Sequence, residues 1–278
     1  MVMHASARAP AADSLGHPPS PPSAPLAKLT IVIPAYNEER TIGQVIARVA
    51  AVPFAIAREI LVVDDGSRDG TLGVARTAAA GLAGVTVLTK PNGGKGSALR
   101  YGFTHATGDV VVVQDADLEI DPIECAKLLE VVIASGADAV YGSRFLGKPI
   151  EWTSGHLANR VLSLLTSVLF GQWVSDMETS HKMVRQRVLA QLVLTSNKFD
   201  IEPEITGKLL RCGVRIHELP IAYQPRTRAE GKKIGWRDGL DAVATLWRVR
   251  RLPMPGVRTS SRALADPEAG SAPGMRVG

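Results

Sequence analysis

Four consecutive valines, Val110–Val113, are followed at once by three acidic side chains at alternate positions, Asp115, Asp117 and Glu119. β-Branched side chains favour extended backbone. A run that is apolar on both alternating faces fits a strand buried on both sides, as in the middle of a parallel sheet. The acidic triplet then falls where that strand leaves the sheet, and in open α/β sheets this carboxyl edge is where ligands bind. Three carboxylates close together in a dry place need a counter-charge. A divalent cation with oxygen ligands supplies one, and a diphosphate could fill its open positions. The simpler alternative is a strand end running through an acidic turn into a helix at Asp121 and Pro122.

Strand and helix patterns alternate on both sides of this run. Residues 29–34 read as a first strand, and a polar turn at 35–39 leads into a helix with Ile42, Val45, Ile46 and Val49 on one face. Residues 59–63 read as a second strand ending in Asp64-Asp65-Gly66-Ser67, with a helix from Asp69 onward. Residues 85–88 give a third strand, followed by Asn92-Gly93-Gly94-Lys95-Gly96 and a helix from Ser97 to about Ala106. After the valines come a helix over 122–134 and a strand over 138–142. This alternation argues for an α/β domain with a Rossmann-like, mostly parallel sheet flanked by helices and joined by right-handed crossovers. The Pro-, Ala- and Ser-rich residues 1–27 and the similar residues 253–278 lack periodicity and are expected to be disordered tails, leaving one folded domain over 28–252.

Composition narrows the partners. With 278 residues and 45% hydrophobic side chains, the chain suffices for one large domain with a sizeable core. The formal charge of +5 points to an anionic partner without choosing among nucleotide, lipid headgroup and nucleic acid. Cys125 and Cys212 lack metal-ligand spacing and read as free thiols of a reducing compartment. No stretch is long and apolar enough to span a bilayer, and the N-terminus does not read as a secretory signal.

The first three strand ends each carry a polar loop, at 34–38, 64–67 and 92–96, and a parallel sheet brings these loops to one edge. An acidic residue after a second strand commonly binds a ribose or base, although Asp64 and Asp65 also suit a helix-capping turn. Lys95, beside flexible glycines, could approach a phosphate. The loop is neither a Walker A sequence nor a GxGxxG, which sets aside P-loop ATPases and NAD dehydrogenases.

Together Ile31-Val32-Ile33-Pro34-Ala35-Tyr36-Asn37-Glu38, Val63-Asp64-Asp65-Gly66-Ser67-Arg68-Asp69-Gly70-Thr71, Gly94-Lys95-Gly96 and Asp115-Ala116-Asp117 resemble the family 2 glycosyltransferases of GT-A fold. Within that family the chain is most similar to the dolichyl- or polyprenyl-phosphate sugar synthases, over roughly residues 29–240. The resemblance implies that Pro34, Tyr36, Glu38 and Asp65 line the base and ribose pocket, with Lys95 and Ala116 also on the nucleotide sugar. Asp115, Asp117 and Glu119 would hold Mg²⁺ or Mn²⁺ on the diphosphate. Many lipid-phosphate mannosyl enzymes carry Gln where this chain has Glu119, so GDP-mannose and UDP-glucose both stand as donors.

The same resemblance assigns the acceptor side to the second half. Arg144, after a strand, would contact the acceptor phosphate, with Glu178 nearby in Asp176-Met177-Glu178-Thr179-Ser180-His181-Lys182; the family usually has a triplet such as Cys-Tyr-Lys at the last three positions. Arg226, Lys232 and Lys233 lie in a basic, non-periodic stretch similar to the family's mobile loop; Arg226 and Lys232 would act catalytically, and Arg226 and Lys233 on the acceptor. Leu157, Val161, Leu164, Leu165, Val168 and Leu169 recur at helical spacing, as for a helix docked on the core or lying in a membrane interface. Glu202 and Glu204 open a helix, where capping and the helix dipole explain them. The last helix ends in Arg248-Val249-Arg250-Arg251 near tryptophans, which suits an anionic membrane surface.

The expected activity is metal-dependent, inverting transfer of a hexose from a nucleotide sugar to a polyprenyl or dolichyl phosphate, at the cytoplasmic face of a membrane. Any membrane contact would be peripheral or supplied by a separate anchoring chain. A phosphate monoester is already ionised near neutral pH and needs no base. A hydroxyl acceptor, the first alternative, would need one from Asp176, Glu178 or Glu202. A non-catalytic nucleotide-sugar-binding module is the second alternative. Nucleic acid is not an expected partner, because the basic stretch lacks interleaved aromatics.

Overall fold

The computed structural model describes residues 25–147, 154–225 and 236–253. The first half is a regular alternation: β1 (Lys28–Ala35), α1 (Ile42–Ala51), β2 (Ala57–Asp64), α2 (Thr71–Ala79), β3 (Val85–Thr89), α3 (Lys95–His105) and β4 (Val110–Val113). The second half adds α4 (Ile123–Ser135), β5 (Ala139–Ser143), α5 (Ser154–Phe170), β6 (Lys182–Arg185), α6 (Gln186–Leu189), α7 (Ile201–Arg211), β7 (Ile216–Pro220) and α8 (Trp236–Arg251). The strands form one sheet in the order β3-β2-β1-β4-β6-β5-β7. Every pairing is parallel except those of β6, which runs antiparallel to β4 and β5. The α/β class and mostly parallel sheet expected from the alternation are borne out.

The valine run is buried throughout, as its composition requires. Val110 and Val112 face one core with Leu29, Ile31 and Ile33 of β1, covered by Ile42, Val45, Ile46 and Val49 of α1 and by Leu128, Leu129 and Val132 of α4. Val111 and Val113 face the other core with Val32, Ala98 and Leu99, covered by Ile201, Ile205 and Leu209 of α7. A period of two thus feeds two hydrophobic layers from one strand. At Gly102 of α3 a Cβ would lie 2.5 Å from the Val32 side chain, so a side chain there would push the helix off the sheet.

One local expectation needs correction. α3 begins at Lys95, not Ser97. The backbone N–H groups of Gly96 and Ser97 donate to the carbonyls of Lys198 and Asn197, at 3.2 and 3.0 Å, so a distant loop satisfies donors that a helix start leaves open. α5 docks on the core through Leu162, with Leu165 and Leu169 packed against it, but it turns other apolar side chains outward. Ser163 and Thr166 are buried, whereas Leu157, Val161, Leu164 and Val168 are 48 to 74% exposed. Both buried hydroxyls are hydrogen-bonded. Ser163 Oγ accepts from Met177 N at 3.0 Å, and Thr166 Oγ1 donates to the Leu162 carbonyl at 2.8 Å.

Candidate active site

The carboxyl ends of β1, β2 and β4 meet at one edge of the sheet, and each loop there is tied to its neighbour. Asn37 has φ of +53°, and its N–H donates to Ser67 Oγ at 3.0 Å while its Oδ1 accepts from Arg68 N at 2.9 Å. Glu38 N donates to Thr71 Oγ1 at 2.7 Å. Asp65 is 2% exposed, and its carboxylate accepts from Lys90 Nζ (2.6 Å), Asn92 Nδ2 (3.1 Å), Gly93 N (3.1 Å) and Gly94 N (2.7 Å). In this state Asp65 therefore organises the glycine turn that precedes Lys95. Pro34, Tyr36 and Glu38 lie half-buried at the end of β1, beside it.

Lys95 closes the gap between the two halves. Its ammonium lies 2.9 Å from Asp115 Oδ1 and 3.3 Å from Glu202 Oε1. Burial works against its charge, but Asp115 and Glu202 outweigh burial and push its pKa up. Burial would likewise raise Asp115, yet the Lys95 ammonium and the Ser180 hydroxyl hold that carboxyl below the usual range. The acidic turn itself is shaped by Gln114, whose Nε2 donates to the Ile120 carbonyl at 3.1 Å, and by Leu118 with φ of +64°. Glu119 N donates to Asp117 Oδ1 at 3.2 Å. Ala116 points into the core at 4% exposure.

Among the described residues, no three His, Cys, Asp or Glu side chains are gathered as a metal cage. Asp115 faces Lys95, and the Glu119 carbonyl accepts from Gln224 N at 2.9 Å. One or two carboxylates completed by phosphate oxygens and water are nonetheless a common setting for Mg²⁺. The oxygen-only donor set at Asp115 and Asp117 fits a hard cation arriving with a diphosphate.

Arg144, at the end of β5, faces the same edge. Its Nε and Nη2 donate to Asp176 Oδ2 and Oδ1 at 2.8 and 2.7 Å, the forked geometry that suits guanidinium and carboxylate. Asp176 is placed by Glu218, whose Oε1 accepts from Asp176 N at 3.2 Å and from Ser175 Oγ at 2.8 Å. The Arg144 guanidinium also lies over the rings of Phe145 and Tyr223, each 5.3 Å away. Glu178 sits close by. Burial, with Glu202 and Asp176 adding to it against Lys182 and Arg144, raises its pKa to about 7. Arg226, Lys232 and Lys233 lie outside the described residues.

Because β6 runs against its neighbours, its first residue lies where β4 and β5 end. Lys182 therefore enters the site from below. Its ammonium lies 2.6 Å from Glu202 Oε2 and donates to the Met177 carbonyl at 3.0 Å and to the Thr179 carbonyl. The helix-dipole explanation of Glu202 and Glu204 is thus incomplete. Neither supplies a side-chain cap bond to α7. Glu202 is shared by Lys182 and Lys95, and Glu204 accepts from Ser196 N (2.8 Å), Thr195 Oγ1 (2.9 Å) and Lys208 Nζ (2.6 Å). Glu204 thereby fixes the loop whose carbonyls start α3.

Sequence spacing gave no role to Tyr223 or Glu218, and no local pattern marks either. His181 and Cys125 approach to 3.6 Å, yet they do not form a nucleophilic pair. Burial holds the imidazole neutral, with its pKa lowered to about 4, and the same burial pushes the thiol up.

Comparison with known proteins bears on this edge. The family model described as Glycosyl transferase family 2 matches residues 30–193. The undecaprenyl-phosphate 4-deoxy-4-formamido-L-arabinose transferase of Sodalis glossinidius is 32% identical over 210 residues, 74% of this chain and 62% of that protein. Glycosyltransferase AglJ of Haloferax volcanii is 30% identical over 199 residues, 70% of this chain and 63% of that protein. The chain therefore spans under two thirds of these relatives' length. Glucosyl-3-phosphoglycerate synthase from Mycobacterium tuberculosis, solved with Mn²⁺, uridine diphosphate and phosphoglyceric acid, has the same fold. Its TM-score is 0.63 at 21% identity, over 82% of this chain and 80% of that one.

Proposed function

The chain belongs to glycosyl transferase family 2, and on that premise we propose that it transfers a hexose from a nucleotide sugar to a polyprenyl phosphate. The carrying observation is the meeting of two kinds of charge at one sheet edge. Asp115, Asp117 and Glu119 leave β4, and Arg144 leaves β5 beside them. The relatives named for undecaprenyl-phosphate transfer support the acceptor class. The nucleotide sugar, with GDP-mannose and UDP-glucose as candidates, would sit against Pro34, Tyr36, Glu38, Asp65 and Ala116.

Mg²⁺ or Mn²⁺, held by Asp115 and Asp117 with Glu119 alongside, would supply positive charge at the leaving diphosphate. Lys95, firmly charged, exchanges part of its hold on Asp115 for the same diphosphate. Arg144 keeps Asp176 as its anchor and turns its remaining donors to the acceptor phosphate. Because that phosphate is already ionised, no side chain has to remove a proton. Arg226, Lys232 and Lys233 are proposed to add charge over the two phosphates, with inversion at the anomeric carbon.

One observation favours a second reading, a hydroxyl acceptor. A carboxyl with a pKa of about 7, as at Glu178, is well matched to general-base work at neutral pH. Asp176 and Glu202, by contrast, are held in ion pairs by Arg144 and Lys182.

A peripheral position at the inner face of an anionic membrane completes the proposal. No described helix is long and apolar enough to cross a membrane. The exposed Leu157, Val161, Leu164 and Val168 of α5, with Leu240 and Trp247 of α8, offer apolar area, and Arg248, Arg250 and Arg251 offer charge. A separate anchoring chain is the other occupant this surface would suit.

The test is a donor screen with Mn²⁺ or Mg²⁺, farnesyl phosphate and radiolabelled nucleotide sugars, counting label extracted into organic solvent. Extractable label from one donor, abolished by chelator and by Asp117→Ala, is the expected result. Label transferred only to water-soluble hydroxyl compounds, and lost in Glu178→Gln, would replace it with the second reading.

A further inference from the structure

Lys95 stands between two carboxylates and is bonded to one of them. Its ammonium lies 2.9 Å from Asp115 Oδ1 and donates to Asp115 Oδ2 at 3.2 Å, so it covers both oxygens of that carboxylate. On its other side is Glu202, in the first turn of α7 and 3% exposed. The two oxygens of Glu202 are not alike. Oε2 accepts from the Lys182 ammonium at 2.6 Å. Lys182 also donates to the Met177 carbonyl at 3.0 Å and to the Thr179 carbonyl, which places all three of its protons. Oε1 is buried, and among the described residues nothing donates a hydrogen bond to it. The Lys95 ammonium stands 3.3 Å from Oε1 without making one. A buried carboxylate oxygen left without a donor is costly, and the cation that faces this one is Lys95.

From this geometry we infer that Glu202 is a positioning residue, which takes the Lys95 ammonium over from Asp115 when a divalent cation binds at the acidic turn. The inference rests on the reading above, in which Asp115 and Asp117 hold a cation that arrives with a diphosphate. An ammonium and a divalent cation on one carboxylate repel each other, and strongly where little water screens them. Asp115 is therefore a poor cation ligand while Lys95 covers it. Glu202 Oε1 offers the ammonium a second seat on the side away from Asp115. Moving there uncovers Asp115, satisfies the buried oxygen and keeps the lysine charge at the edge where the diphosphate lies. Lys182, by holding Oε2, keeps Oε1 aimed at Lys95.

The experiment uses the full chain and isothermal titration. UDP and GDP are each titrated with Mn²⁺ and with EDTA, and the quantity read is the factor by which Mn²⁺ strengthens binding of the nucleotide that the protein accepts. In Glu202→Gln that factor is expected to fall about tenfold, because Lys95 has only Asp115 left to pair with. In Lys95→Met the ammonium is gone, so adding Glu202→Gln is expected to change the factor by less than about twofold. Lys182→Met breaks the same buried pair from its other end but leaves Oε1 facing Lys95, and no fall is expected there. An unchanged factor in Glu202→Gln, an equal fall in the Lys95→Met background, or an equal fall in Lys182→Met overturns the inference and leaves the proposed function standing. A crystal structure of the wild type with Mn²⁺ and the accepted nucleotide tests it without any variant. The Lys95 ammonium is expected within hydrogen-bonding distance of Glu202 Oε1 and off Asp115, and an ammonium still bonded to Asp115 overturns the inference. A wild type that binds neither nucleotide with Mn²⁺ overturns the proposed function as well.

Discussion

The half of the molecule up to the acidic turn that follows β4 and the half beyond that turn build their share of the site in different ways. In the first half each polar loop follows its own strand and is tied to adjacent loops mainly by short side chains and backbone groups, such as Asn37 to Ser67 and Asp65 to Gly93 and Gly94. In the second half buried charges do most of the matching. Arg144 meets Asp176, Lys182 meets Glu202, and the Glu218 carboxylate accepts from Ser175. Backbone groups and short side chains arrange the donor side; buried ion pairs arrange the acceptor side. Damage to the first half should therefore show mostly in binding and chemistry, and damage to the second mostly in folding.

The strongest contrast is expected between Asp117→Ala and Lys182→Met. Asp117→Ala should lower transferase activity by about a thousandfold, roughly 4 kcal/mol of barrier, with little change in melting temperature. Lys182→Met leaves Glu202 buried beside Lys95 alone and should cost about 3 kcal/mol of stability, read by urea unfolding. Equal melting temperatures for the two variants would break the comparison. Gly94→Ala comes next. Its φ is +94°, and a Cβ would lie 2.5 Å from the Asn197 carbonyl oxygen. It should cost about 2 kcal/mol and raise the KM for donor more than it lowers kcat, because Lys95 follows at once.

The smallest effect concerns pH. The Glu178 carboxyl is raised in the folded state from an ordinary 4.5 to about 7, so the folded chain binds more protons between those values. Its contribution to stability is full below pH 4.5 and is lost as pH rises through about 7. Glu178→Gln should therefore be more stable than the wild type at pH 8 and no more stable at pH 5, by thermal unfolding at both pH values. A gain of the same size at both would show that burial does not hold this carboxyl neutral.

The same contrast explains what the sequence made legible. The valine run, the alternation and the loops at 34–38, 64–67 and 92–96 are local signals, and a parallel sheet gathers them by topology alone. That Lys95 and Asp115 share one edge follows from this convergence, whereas their ion pair is seen only in the structure. The partners of Glu202 and Glu204 did not follow, because nothing near them in sequence announces Lys182, Lys95 or the loop at 195–196. The helix-end position gave them a sufficient local explanation that the distant packing overrode. The inward hydroxyls of α5 were not legible for the same reason: spacing identifies an apolar stripe but not the direction it faces.

The reversed strand β6 has a consequence for synthesis. β4 pairs with β1 on one side and with β6 on the other, through Val110 with Arg185 and Val112 with Met183. As the chain leaves the ribosome, the four valines and their unpaired backbone groups form an open sheet edge until residues 182–185 emerge. Such an edge is apolar, β-branched and uncharged, which is the kind that templates aggregation. A fragment ending before Lys182 retains the donor loops yet should be recovered mainly as insoluble protein, whereas one that includes β6 closes the edge.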